Sequence, residues 1–198
     1  RNETLRVDTD DKGRVTAVKL VTDEEETLLV GYRYDGHGDM VQTTDARGVS
    51  KHFEYGKGHL LTRLTNQGGM AFHWEYEGEG ENARCVHTWG DGGVMEYFFE
   101  YAQGVTRTRN GEGAVSEYHY DSDRLIYKVV DANGGITRKQ YNAYKELEVT
   151  VDPEGNCRQT EYNRYGLPCV ITDANGNTTL LTDDGDRNLT RMKTPGGR

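Results

Sequence analysis

Tyrosine recurs at a nearly constant interval through most of this chain of 198 residues. Successive members of the series stand 21, 21, 25, 19, 21 and 21 residues apart. The frame extends forward by 21 residues to Asp183 and back by 25 residues to Thr9, where the aromatic ring is absent. A fixed period of about 20–50 residues indicates a repeat architecture, which restricts the fold strongly. The series comprises Tyr34, Tyr55, Tyr76, Tyr101, Tyr120, Tyr141 and Tyr162.

A turn motif, Asp-x-x-Gly or Asn-x-x-Gly, begins ten residues before most of these positions. The aspartate or asparagine side chain accepts hydrogen bonds from the turn backbone, and glycine adopts positive φ without steric cost. We therefore predict a type I turn that closes into a glycine bulge, a common hairpin connection. At Asp91 the glycine role falls to Gly92 and Gly93. The predicted turn residues are Asp45 with Gly48, Asn66 with Gly69, Asn110 with Gly113, Asp131 with Gly134, Asp152 with Gly155, and Asp173 with Gly176.

The segments between the turns have the period of two residues that is typical of β-strands. Phe72, Trp74 and Tyr76 fall on one face, and the residues between them fall on the other. After each tyrosine a polar turn leads to an apolar residue, such as Leu125, that starts the return strand. Each unit is thus predicted to hold two strands of about six to eight residues. The prediction for the whole chain is a meander of about 16 strands without helix, and only the acidic run 23–26 lacks the turn signature.

The composition excludes a conventional globular core. Leu, Ile, Val and Phe make up 36 residues, and the mean hydropathy is -0.87. Such values are common in disordered chains, but the even spacing of the tyrosines and the use of glycine at turns favour a thin, single-layer all-β wall. The net charge of -9 disfavours nucleic acid as a partner, because phosphate backbones select basic surfaces.

No combination of residues predicts catalysis, a metal site or a cofactor. The three cysteines are odd in number and lack CxxC spacing, which disfavours a zinc site or a disulfide framework. His52 and His73 are equivalent residues two strands apart, too far from each other for both to bind one zinc ion. The loops 173–177 and 184–188 are rich in oxygen ligands, but they lack the glycine and glutamate of an EF-hand. Apolar runs long enough for a membrane span are also absent.

The repeat unit resembles the Rhs, or YD, repeat. The unit reads Tyr-Asp-x-x-Gly, a leucine-like residue, Asp-x-x-Gly and a strand that ends in the next tyrosine, and it is most complete in residues 34–48. The resemblance covers about residues 9–190, or about eight units. In that family the repeats form a continuous antiparallel sheet that spirals into a hollow cocoon. The resemblance thus implies that residues 1–198 are one repeat region within a larger shell.

The resemblance also implies a function and partners. Bacterial Rhs effectors and the C component of insecticidal toxin complexes enclose a C-terminal toxin in such a shell, and teneurins carry a related one. We therefore expect a non-enzymatic encapsulation segment in a secreted or delivered bacterial toxin. Its expected partners are the rest of the shell, the enclosed toxin domain and components of a secretion spike, as in type VI secretion between competing bacteria. The sequence Asp152-Pro153 superficially resembles the family's self-cleavage motif, but it lies in register as an ordinary turn.

The tyrosines leave two hypotheses open. They could form a structural column across the sheet that replaces an aliphatic core. Alternatively, exposed rings could bind sugars, in which case the chain is a YD-repeat cell-surface module that recognises carbohydrate or another cell. The even spacing favours the structural hypothesis.

Overall fold

The fold is that of an all-β chain of antiparallel hairpins, seen in a computed structural model that describes residues 3–197. It forms two compact units, Arg1–Phe99 and Glu100–Arg198. The described residues contain no α-helix and only three short 3-10 segments, Lys57–His59, Gly80–Asn82 and Asp91–Gly93. The sequence prediction of an all-β fold built from antiparallel hairpin repeats is confirmed.

In the first unit, consecutive strands pair antiparallel in chain order. Strand β9 begins in this unit and ends just past its boundary. The strands are β1 (Thr4–Thr9), β2 (Val15–Val21), β3 (Glu26–Tyr34), β4 (Met40–Asp45), β5 (Ser50–Tyr55), β6 (Leu61–Thr65), β7 (Ala71–Glu77), β8 (Arg84–Gly90) and β9 (Val94–Ala102).

The second unit repeats the same antiparallel order. Its strands are β10 (Val105–Asn110), β11 (Val115–Tyr120), β12 (Ile126–Val130), β13 (Ile136–Tyr141), β14 (Leu147–Val151), β15 (Cys157–Tyr162), β16 (Pro168–Thr172), β17 (Thr178–Asp183) and β18 (Leu189–Lys193).

The described chain contains eighteen strands, whereas the sequence predicted about sixteen. Eight two-strand repeats run from β2–β3 to β16–β17. The two additional strands, β1 and β18, flank these repeats, because the turn at Asp10 and the turn at Asp184 each need a strand on both sides. Strand lengths range from five to nine residues, slightly wider than predicted.

Little of the chain is removed from solvent. Among the described residues, Ala71 is the one hydrophobic side chain in the fully buried class, and no charged or polar side chain belongs to it. Most strand residues are half-buried, as expected where one sheet layer has few atoms on either face. The hydrogen-bonded backbone and the turns therefore carry much of the structural specificity. No helix in the described part of the chain is long and apolar enough to cross a bilayer.

Candidate functional site: the repeat tyrosines and their turns

The repeat tyrosines share one contact, a hydrogen bond from the phenol to a backbone carbonyl. In four cases the acceptor is the first residue of the preceding strand, 15 residues back. Tyr76, for example, donates to Leu61 O at 2.9 Å, and Tyr162 donates to Leu147 O at 2.8 Å. The rings are half-buried at these positions. The same bond joins Tyr34 to Val15 O, Tyr55 to Met40 O, Tyr120 to Ala102 O and Tyr141 to Ile126 O.

Most repeat tyrosines also lie at a β-bulge. The register between β5 and β6 shifts at Tyr55, so Thr62 is the extra residue on the opposing strand. Equivalent shifts occur at Tyr34, Tyr76, Tyr120, Tyr141, Tyr162 and Asp183. A bulge interrupts the ladder hydrogen bonds and increases the local twist. The same irregularity therefore recurs once in almost every repeat.

The phenol of one repeat bonds to the bulge of the repeat before it. Tyr55 pairs with Leu61 at its own bulge, and the carbonyl of Leu61 accepts the hydroxyl of Tyr76. Tyr141 likewise pairs with Leu147, whose carbonyl accepts the hydroxyl of Tyr162. Backbone carbonyls shielded from water require a donor. Each tyrosine thus supplies a hydrogen bond at the place where the previous bulge disturbs the ladder.

Three bulge residues add a second, local hydrogen bond. Thr62 Oγ1 donates to Glu54 O at 3.1 Å, and Thr190 Oγ1 donates to Thr182 O at 3.0 Å. Cys169 occupies the equivalent bulge position and its Sγ donates to Glu161 O at 3.4 Å. In each case the acceptor is the residue just before the repeat position. A short donor side chain at this position therefore ties the bulge to its partner strand.

One repeat position departs from this pattern, and another is more exposed than the rest. The more exposed one is Tyr101, which lies near the end of β9 and is 38% exposed. Asp183 takes the tyrosine position in the last repeat, where it preserves the bulge. Its carboxylate accepts a hydrogen bond from Asn163 Nδ2 at 3.2 Å, which replaces the phenol bond by a link between successive repeats.

The turns on both ends of the strands share one geometry. In the turn at Asp45, Gly48 N donates to Asp45 O, Asp45 N donates to Val49 O, and Oδ1 of Asp45 accepts from the backbone N–H groups of Arg47 and Val49. The fourth residue has positive φ. The turns of this kind begin at Asp10, Asp35, Asp45, Asn66, Asn110, Asp121, Asp131, Asn142, Asp152, Asn163, Asp173 and Asp184.

Each predicted turn residue lies in one of these turns. The residue that directly follows several of the repeat tyrosines also begins a turn of this kind. The sequence analysis described the second group only as polar turns. Lys145 hides this equivalence, because it has φ of 67° where the pattern expects glycine. Arg124 and Arg187 have the same left-handed conformation. The signal that could have revealed these turns is the Asp or Asn that directly follows the repeat position.

Hydrogen bonds lower the pKa of several turn aspartates. The bond from the Val49 N–H, with others from Arg47 and Gln67, holds the pKa of Asp45 below its ordinary value. At Asp173 the largest cause is the side-chain bond from Asn177. The pKa values of Asp10, Asp35, Asp152 and Asp184 are lowered as well. The ionised form of these carboxylates is therefore the one that fits the turns.

Five of the seventeen strand connections in the described chain deviate, namely those that begin at Thr22, Gly56 and Asp91 and those formed by residues 78–83 and 103–104. The acidic run 23–26 follows Thr22, whose hydroxyl accepts from the N–H groups of Glu24 and Glu25 and so replaces the aspartate. Gly56 begins a turn without a carboxylate. Asp91 bonds outside its own turn, because its carboxylate accepts the N–H of the buried Ala71 at 2.8 Å. The sequence analysis found that the run 23–26 lacks the turn motif and that Gly92 and Gly93 replace the glycine at Asp91, but it did not predict the hydrogen bonds of Thr22 and Asp91.

The described residues contain no cluster of three or more metal-ligating side chains. His52 is exposed, whereas His73 stacks on Trp89 with ring centroids 5.0 Å apart. Two shallow grooves lie on the sheet, one of about 640 Å³ beside Trp74 and Tyr76 and one of about 470 Å³ beside Tyr162. Turn residues border both grooves, so their walls belong to the repeat itself.

Sequence comparison finds the same repeat. The RHS Repeat family model matches residues 10–50. Two curated relatives from Dickeya dadantii (strain 3937) match over 84 residues: the probable deoxyribonuclease RhsB at 29% identity and the probable deoxyribonuclease RhsA at 27%. Each match covers 42% of this chain and 6% of the relative. The chain thus corresponds to a small part of these proteins.

Structural comparison finds a solved structure that shares the fold. The crystal structure of TcdB2-TccC3 matches with a TM-score of 0.51 at 11% identity, over 95% of this chain and 14% of that one. The Photorhabdus luminescens Tc holotoxin pore matches with a TM-score of 0.47 at 10% identity, over 94% and 14% of the respective chains. At 11% identity the likeness to TcdB2-TccC3 concerns the fold alone. The RHS Repeat match, the Rhs relatives and the series of tyrosines and turns together support an Rhs/YD-repeat protein.

Proposed function

We propose that this chain is a segment of the wall of a hollow shell that encloses a toxin domain before delivery. The observation that carries the proposal is that the tyrosine, the bulge and the turns of each repeat stabilise a thin sheet. Among the described hydrophobic residues of that sheet, Ala71 alone is fully buried. A wall of this kind has no need of a thick core. The fold shared with TcdB2-TccC3 and the sequence match to the Rhs proteins of Dickeya support a structural role in toxin-related proteins.

The remaining expectations belong to the same proposal. Residues 1–198 form one repeat region of a larger shell, and their partners are the rest of that shell and the enclosed domain. The whole protein is secreted or delivered from a bacterial cell, with type VI secretion between competitors as the proposed route. The deoxyribonuclease activity named for the two relatives is not assigned to this segment, because the chain spans 6% of each of them.

The test is protection of the enclosed domain in the full-length protein. Limited proteolysis of the wild type should leave the C-terminal domain intact, because the wall excludes the protease. Weakening the wall by Tyr76→Phe combined with Tyr141→Phe should expose that domain to cleavage, since both phenol bonds are lost. Tyr144→Phe is the matched control, because Tyr144 is 84% exposed at a turn tip. A C-terminal domain that is cleaved equally fast in wild type and in all variants would contradict encapsulation.

The cell-surface module that binds carbohydrate remains the alternative. Its support is the exposure of Tyr144 and Tyr165, which occupy equivalent positions in the turns at Asn142 and Asn163. A glycan array separates the two functions. A sugar signal that is lost in stable Tyr144→Ala and Tyr165→Ala variants would favour the alternative, whereas we expect a blank array.

A further inference from the structure

Four aromatic rings stack across β7, β8 and β9 of the first unit. His87 lies between Trp89, with ring centroids 4.2 Å apart, and Phe98, with centroids 4.1 Å apart and an interplanar angle of 8°. His73 stacks on the other side of Trp89. The side chain of His87 is 17% exposed. Both faces of its imidazole ring are thus covered by aromatic rings.

Both ring nitrogens of His87 face a carboxylate. Nδ1 lies 3.3 Å from Oε2 of Glu75 on β7, and Nε2 lies 3.0 Å from Oε1 of Glu96 on β9. A neutral imidazole has one N–H donor and one lone pair, whereas an ionised carboxylate only accepts. Both contacts are hydrogen bonds only when each nitrogen carries a proton. The geometry therefore fits an imidazolium that joins three strands.

Two further charged side chains, Asp91 and Arg63, lie near the stacked rings. Asp91, in the turn before β9, lies 3.3 Å from Nε2 of His73, and its pKa is lowered by the hydrogen bond from the Ala71 N–H and then by His73. Arg63 on β6 is the cross-strand neighbour of His73. On β8 itself, the thiol of Cys85 donates to the carbonyl of His87. Arg63 pairs with Glu54 at 2.9 Å, and Asp91 bonds to Ala71 and His73. Glu75 and Glu96 are therefore the carboxylates in contact with the His87 ring.

We propose that His87, Glu75 and Glu96 form a proton-operated clasp, called here the His87 clasp, that fastens β7, β8 and β9. Histidine is the side chain whose charge ordinarily changes between about pH 5 and 8. The charged ring donates to both carboxylates in mildly acidic solution. In mildly alkaline solution one nitrogen turns a lone pair toward a carboxylate oxygen, and the contact becomes repulsive. The clasp thus stabilises this part of the sheet on the acidic side and releases it as the pH rises.

Amide hydrogen exchange of the 198-residue chain tests the clasp. After correction for intrinsic exchange, protection of the β7–β9 amides should fall about tenfold between about pH 5.5 and pH 8, the size expected for one charge-assisted hydrogen bond. The amides of β12–β14 in the same sample serve as an internal reference. His87→Phe keeps the stack and should remove the pH response. His52→Phe, at an exposed position, should retain it.

Nitrogen NMR of the His87 ring gives a readout that needs no variant. In mildly acidic solution both ring nitrogens should carry protons. A single protonated nitrogen under those conditions, or β7–β9 protection that does not change with pH, would overturn the proposal. If His87→Phe fails to fold, Glu96→Gln replaces it, because the amide keeps an acceptor oxygen while removing the negative charge. That variant should respond less to pH than the wild type, and an unchanged response would refute the clasp.

Discussion

At the scale of the residue, the hydroxyl of the repeat tyrosine distinguishes it from a packing aromatic. Phenylalanine would fill the same space, but it would leave the carbonyl at the preceding bulge without its donor. The bond lengths of 2.8–3.2 Å at six positions are those of ordinary hydrogen bonds. Because of this contact, the repeat position requires tyrosine, and another aromatic residue would not replace it.

Tyr162→Phe should therefore lower the free energy of unfolding by about 0.5–1.5 kcal/mol, the usual net value of one hydrogen bond. The reason is the loss of the donor to Leu147 O, with ring packing retained. Denaturant unfolding of both proteins measures the difference. Tyr144→Phe should be neutral, because its side chain is 84% exposed. Equal effects of the two substitutions would mean that the phenol bond contributes nothing.

Sequence could reveal the tyrosine series but not its acceptors. Spacing alone marks Tyr55 and Tyr76 as equivalent, since side-chain identity recurs. Leu61 supplies a backbone carbonyl, and every residue type has one, so the acceptor leaves no signature in the sequence. The same reasoning applies to the bulge, because its extra residue is Thr62 in one repeat and Cys169 in another.

At the scale of the element, one turn geometry joins most of the strands. It needs an acceptor side chain at the first position and positive φ at the fourth. The first requirement is met by Asp, by Asn or, at Thr22, by a hydroxyl. The second is met by Gly134 with φ of 84°, and by Lys145 with φ of 67°. The turns with glycine at the fourth position are recognisable in the sequence, whereas lysine or arginine at that position gives no such signal.

Gly134→Val should destabilise the chain by about 1–3 kcal/mol, because a β-branched side chain adopts positive φ only with strain. Space is not the limit, since no atom lies within 4 Å of the position a Cβ would take. Ser122→Ala, in another turn, is the control and should change stability little. Thermal melting compares the two. Small and equal effects would show that backbone conformation at Gly134 does not matter.

Acid should weaken the turns that aspartate stabilises. A carboxylate with a pKa lowered in the fold contributes stability above its unfolded pKa, and the contribution disappears as the pH falls through the folded value. For Asp45 and Asp173 we therefore expect melting temperatures to decline below about pH 4, where aspartate ordinarily titrates. Asp45→Asn should reduce the decline, because Asn66 forms the same turn bonds without a charge. If the melting temperature of Asp45→Asn falls in acid as much as that of the wild type, protonation of Asp45 is not a cause of the decline.

At the scale of the whole molecule, interactions between repeats connect residues about twenty positions apart. Gln67 Nε2 donates to Asp45 Oδ2, and Lys57 pairs with Glu79 at 2.6 Å; in each pair the residues are 22 positions apart. Lys145 and Asp123 repeat that spacing in the second unit. Each repeat thus contacts its neighbours in sequence, as in other repeat proteins. The all-β class could be predicted from the sequence because the repeat pattern involves residues that are close together in the chain.

Removing one whole repeat should be tolerated. Deletion of residues 131–151 joins Val130 to the turn at Asp152 and places Tyr162 within reach of Ile126 O, the acceptor that Tyr141 uses in the intact chain. Circular dichroism should show a sheet with a similar melting temperature. Deletion of residues 131–150, one residue fewer, is the control. It should abolish cooperative melting, because a shift of one residue moves side chains to the opposite face.

The phenol bond reaches backward along the chain, and this has a consequence for synthesis. When Tyr76 leaves the ribosome, its acceptor, Leu61 O, is already 15 residues further out. Sheets built from distant segments fold slowly, because the chain must search before contacts form. Here each new tyrosine closes onto a strand that has just been made. We expect such a chain to fold vectorially during translation, with each completed hairpin serving as the template for the next.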